Sequence, residues 1–215
     1  MNETSLPAAT LVTVARGWTC AAAGALGGGL VLGVLTNLAQ GWLHTPWDQI
    51  PNSGAVWSAV AFVAGALLAR WASPHVVAVT GLLAEVGLVV GYYGYAEFGR
   101  GGMGDFAYPL VWLTLACVAG PLLGVAGSWW RRGHTARRRV IGLASLAGVF
   151  GMEGIHYAWV LHYTTQAWTC LAVVLLVSLL MARNRKERAL ALSAAAAFSL
   201  VAYAAIQLPL LYFSA

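Results

Sequence analysis

Two glutamates, Glu85 and Glu153, fall inside the otherwise apolar stretches VTGLLAEVGLVVGYYGY and LAGVFGMEGIHYAWVLHY. An ionisable side chain in hydrocarbon is costly, and where it is found it faces a bundle interior and serves a function. His156 and Tyr157 follow Glu153 at i+3 and i+4, which puts them on its helical face. Tyr92 follows Glu85 at i+7 on the same face, with Tyr93 beside it. Desolvation disfavours the charged form of a carboxyl, so one held among apolar groups keeps its proton and can act as a general acid. Aromatic faces beside it can stabilise a carbocation that such a proton generates. A second group, Glu153 or His156, can then remove the final proton. This set of residues suits proton-initiated cyclisation of an alkene or epoxide.

Glu85 is therefore the leading candidate acid, with Glu153 and His156 as second acid or terminal base. Trp57, Tyr92, Tyr93, Trp112, Tyr157 and Trp159 are the candidate cation-stabilising wall, and Asn52 and Gln207 its polar contacts. Blander readings compete. Trp and Tyr also form belts at membrane interfaces, and Glu153, His156 and Tyr157 could be a packing cluster. Transporters place carboxylates among aromatics near the bilayer midplane as well. Asp48, Glu97 and Asp105 read as solvated loop carboxylates, with a lid over a cavity as the alternative.

Other chemistries are excluded or weak. The only lysine, Lys186, lies in a basic loop, so the last helix has none to form a retinal-type Schiff base. No DDxxD or NDxxD cluster is present to hold magnesium on a diphosphate, and there is no DxDD run. Residues 153–156 form one ExxH, whereas a dinuclear iron site needs several carboxylates and histidines. No metal and no other cofactor is expected.

The elements that position these groups follow from composition. Of 215 residues, 60% are hydrophobic and 9% charged, against about 25% charged in an ordinary soluble domain. The mean hydropathy is +0.74. A polytopic membrane protein is expected, all-α, forming a compact seven-helix bundle and one domain over 1–215. The spans read as 18–42, 54–72, 75–97, 108–130, 139–162, 165–182 and 188–213, with five and six as a tight hairpin. The net charge of +5 comes from short basic runs between apolar segments, so topology explains it better than nucleic acid does. Arg16, Arg70, the 129–139 loop and the 183–188 loop fall on one side, leaving only Arg100 opposite. The positive-inside rule then places the N-terminus in the cytoplasm and the C-terminus outside, in a bacterial inner membrane. No cleaved signal peptide is expected.

Gly24/Gly28, Gly29/Gly33 and Gly120/Gly124/Ser128 are small residues four apart, expected at close helix contacts. Pro121 is expected to kink the fourth span. Cys20, Cys117 and Cys170 form no CxxC pair and read as small core residues.

The runs GLVLGVLTNLAQGWL and NSGAVWSAVAFVAGALLARW resemble small bacterial integral-membrane proteins, most without an assigned activity. In span number and size the whole chain also resembles membrane terpene cyclases. One group of these acts on prenylated indoles in drimentine- and xiamycin-type pathways, and a fungal group makes meroterpenoids. The fungal enzymes use an intramembrane acid in the last span, where this chain has only Gln207. The resemblance implies class II cyclisation of a farnesyl-bearing, lipid-soluble substrate. A proton-coupled permease or a non-catalytic membrane protein is the alternative. Besides substrate and membrane lipid no partner is expected, and oligomeric state is left open.

Overall fold

The computed structural model describes residues 8–207, with side chains over 17–206. Among the described residues there are seven α-helices and no strand. They are α1 (Ala8–Trp42), α2 (Gly54–Leu68), α3 (Pro74–Arg100), α4 (Ala107–Arg132), α5 (Ala136–Trp159), α6 (Thr164–Leu180) and α7 (Arg185–Ala202). A 3-10 turn (Ile50–Asn52) precedes α2, and a π-helical turn (Tyr203–Gln207) continues α7. Five helices are long and apolar enough to cross a membrane. The other two, α2 and α6, are apolar but have 15 and 17 residues. At 1.5 Å per residue they reach about 22 and 26 Å, against a hydrocarbon core of about 30 Å.

Local signals set the boundaries. Ser53 caps α2 by accepting from the Val56 amide at 3.2 Å, and Asn184 caps α7 by accepting from Glu187 N at 2.9 Å. Pro74 opens α3, and Gly101 ends it with a φ of 80°, a left-handed C-cap suited to glycine. Helix α4 continues through Pro121.

Helices α2 to α5 form the centre; α1 packs on α3, while α6 and α7 pack on α5. Contacts between α1 and α3 run in parallel, from Gly29 against Ala84 to Gly33 against Leu88 and Tyr92. A Cβ at Gly33 would collide with the Leu88 carbonyl oxygen, so these backbones approach as closely as glycine allows. Gly120 and Gly124 do the same against Gly81 on α3. Gly24 and Gly28 do not: nothing lies within 4 Å of a Cβ built at either. They sit on the outward face of α1, away from α3. Cys170 is buried as expected, but Cys20 and Cys117 are exposed on outer helical faces.

All basic loops share one end of the bundle, called here the basic end. There Glu187 is buried and ion-paired with Arg139, tying α7 to α5. At the opposite, aromatic end α1 and α3 are joined by polar contacts. Asn37 donates to the Tyr92 carbonyl at 3.1 Å, and Arg100 to the Asn37 carbonyl at 2.7 Å.

Candidate functional site

Between α2, α3, α4 and α5, toward the aromatic end, lies a cavity of about 410 Å³. Ligand pockets run from about 300 to 1,000 Å³. Both intramembrane glutamates line it, from different helices and in opposite surroundings.

Glu85, on α3, is 4% exposed. Its Oε1 has no hydrogen-bond partner within the protein, and the Ser58 hydroxyl of α2 stands beside its carboxyl. The neighbouring wall is apolar, formed by Val89, Ala116 and Ala119. No cationic side chain stands in that wall.

Glu153, on α5, meets the N-terminus of α2. Ser53 Oγ donates to its Oε2 at 2.5 Å, and the Ala55 amide donates to the same oxygen at 3.0 Å. Tyr157 Oη is 3.4 Å from Oε1 and completes the set. Two donors from the α2 N-terminus and one from the next turn of α5 thus converge on this carboxyl. Ser53 does two things at once, capping α2 with one lone pair and donating its proton to Glu153. The NSG run marks a helix start, but no pattern in sequence links Ser53 to a glutamate a hundred residues on. Ser58 was equally hidden, since it reads as one more small residue in an apolar helix.

Around this pair the cavity collects most of the residues expected from sequence. Trp57, Trp112, Tyr157, His156 and Asn52 all line it. The Trp57 and Trp112 rings lie 5.0 Å apart with planes 52° to one another. Trp57 donates its indole N–H to the Pro51 carbonyl at 2.9 Å, which fixes the ring and occupies its polar edge. Tyr163, not singled out as a site residue, stacks on Tyr157 at 6.2 Å and also lines the cavity. No arginine or lysine is among the lining residues. His156 Nδ1 and Asn52 Oδ1 are buried without a partner, so their bonding capacity is open to whatever occupies the space.

Three expected wall residues stand elsewhere. Tyr92 does not line the cavity, because Trp57 is interposed with its ring 5.2 Å away. The Tyr92 hydroxyl turns to α1 and donates to Gln40. Tyr93 packs edge-on against Tyr92 at 5.1 Å, one layer further out. Trp159 is 69% exposed and lines a separate groove with α6 and α7 residues. Six residues after Glu153 at 100° each, it points away from that face. The Gln207 side chain lies outside the described residues. Glu97 is in the last turn of α3 rather than in a loop, because that helix runs to Arg100, and Asp105 is in the loop after it; they accept from the Met103 and Ala107 amides at 3.0 and 2.8 Å. Among the described residues no cluster of three His, Cys, Asp or Glu could hold a metal.

Fold and site together define an all-helical protein with membrane-length helices around an acid- and aromatic-lined cavity. The chain belongs to a family of unknown function, DUF6518, whose model matches residues 12–212. No curated protein and no solved structure matches it.

Proposed function

We propose that this chain is a membrane-integral class II terpene cyclase acting on a farnesyl-bearing substrate, with a prenylated indole as the leading case. The observation that carries the reading is a cavity lined by two carboxyls in different surroundings and an aromatic wall, with no arginine or lysine. Glu85 supplies its proton to a terminal alkene carbon, leaving a tertiary cation; with an epoxide substrate the oxygen takes the proton and becomes a hydroxyl. Internal double bonds then attack in turn, each closing a ring and moving the positive charge along the chain. The Trp57, Trp112 and Tyr157 rings stabilise that charge through their π faces, in a cavity whose other walls are mostly aliphatic. Glu153, held as an acceptor by Ser53 and Ala55, or His156 beside it, removes the last proton. One proton enters and one leaves, so the reaction is an isomerisation and needs no cofactor.

In this reading all seven helices cross a bacterial inner membrane, with α2 and α6 spanning a locally thinned or shared section of the bundle. The basic end faces the cytoplasm and the cavity lies in the outer half. The test is to incubate membranes containing the protein with 3-farnesylindole and with its epoxide. Products isomeric with the substrate, absent from vector-only membranes, are the expected result. Unchanged substrate in both cases, together with proton-driven uptake of a solute into vesicles, would replace the cyclase with a permease.

A further inference from the structure

Away from that cavity, the basic end holds a second hollow of about 200 Å³, where the ends of α2 and α4 meet the starts of α3 and α5. Arg132, His134 and Arg138 line it together with Ser128 and Trp129, and no carboxyl does. Two hydrogen bonds hold its rim in shape. Arg132 Nη1 donates to the Ala69 carbonyl at 3.1 Å, and Arg139 Nη1 to the Gly133 carbonyl at 3.0 Å. Among the described residues the carboxylate at this end is Glu187, and Arg139 already occupies it. Arg132, His134 and Arg138 therefore face the hollow with no ion-pair partner among the described residues. The remaining wall is apolar, formed by Ala69, Ala72, Pro74 and Val77.

We propose that this hollow binds the phosphodiester head group of an anionic membrane lipid. Two guanidinium groups present paired N–H donors matched to phosphate oxygens, and His134 adds a third donor. Trp129 lies at the level where indole rings sit in the head-group region, and the apolar wall receives the glycerol and first acyl carbons. A zwitterionic choline lipid brings its own cation against the arginines, so the site selects lipids with net negative charge.

The experiment uses the full chain in nanodiscs of phosphatidylcholine alone or with a minor fraction of phosphatidylglycerol. It reads retained lipid by native mass spectrometry and the thermal unfolding midpoint. Phosphatidylglycerol should be retained preferentially and raise the midpoint. Arg138→Ala, whose side chain has no hydrogen-bond partner among the described residues, should weaken retention about five-fold, and His134→Ala, which removes one donor, should weaken it by a smaller factor. Arg185→Ala and Arg188→Ala each remove one positive charge from the neighbouring first turn of α7 and should leave retention unchanged. Equal losses from both pairs would mean diffuse surface charge and overturn the site. Inorganic phosphate reproducing the full stabilisation in pure phosphatidylcholine discs would make it a free-anion site and overturn the lipid assignment. None of these readouts depends on cyclase activity.

Discussion

Glu85 and Glu153 are the same residue type in the same cavity, yet their neighbours differ. Glu85 has an unpartnered Oε1 among aliphatic side chains; Glu153 accepts from Ser53, Ala55 and Tyr157. If Glu85 is the initiating acid, Glu85→Gln keeps its shape but has no proton to give. Turnover of the farnesylindole substrate should then fall about 10²–10⁴-fold, the usual worth of a positioned proton donor. A Glu85→Gln enzyme cyclising at the wild-type rate would move the role to Glu153. The aromatic wall tests the cation itself. Trp57→Leu removes a π face next to the cavity, and about 1–2 kcal/mol of cation stabilisation corresponds to roughly a ten-fold loss of rate. The cation should also be deprotonated earlier, giving partly cyclised olefins, and Trp57→Phe should keep more of the native product profile because a ring quadrupole remains. Tyr92→Leu makes a useful contrast. Tyr92 stands behind Trp57, so its loss should disturb stability and ring position more than product identity. If Trp57→Leu leaves both rate and products unchanged, the wall has no part in the chemistry.

Among the elements, the contact between α1 and α3 depends on glycine. Gly33→Ala places a methyl group against the Leu88 carbonyl, and overpacking of this kind costs about 1–3 kcal/mol. The expected outcome is a lower thermal midpoint in detergent, while Gly28→Ala, with nothing within 4 Å of its Cβ, should be neutral. An equal drop from both would show that helix propensity or lipid contact, not the α1–α3 approach, sets the effect. The same comparison shows what the sequence could and could not convey. Helix number and approximate ends were legible from hydrophobic runs and the basic loops between them. The convergence of Glu85, Glu153, His156, Trp57 and Trp112 was legible too, because ionisable and aromatic groups in lipid-length helices have few places to go. Which glycines touch was not, since Gly24/Gly28 and Gly29/Gly33 carry the same spacing on different faces of α1. Nor was the order of the rings: only the fold places Trp57 between Tyr92 and the cavity. The lengths of α2 and α6 fell short of the runs that suggested them because Ala69, Arg70 and Met181 leave the helix before the apolar run ends.

At the scale of the whole molecule, charge asymmetry decides which compartment the cavity faces. Eleven of the twelve basic residues belong to the N-terminal segment or to the loops and helix ends at one end, and Arg100, which donates to the Asn37 carbonyl, stands alone at the other. Lysine and arginine in short loops are retained on the cytoplasmic side during insertion. In the proposed seven-span topology an odd number of crossings carries the C-terminus across and puts the cavity, near the aromatic end, in the outer half. Whether α2 and α6 cross fully decides that number, since the loss of one would reverse every later helix. A reporter active only outside the cytoplasm, fused after Ala215, should therefore be active. The same reporter inserted after His134 should be silent, and one inserted after Gly102, between α3 and α4, should be active. Activity after His134 with silence after Gly102 would invert the protein and place the cavity on the cytoplasmic side. Silence after Ala215 with the other two as expected would show that one of α5 to α7 fails to cross, with α6, at 17 residues, the first to examine.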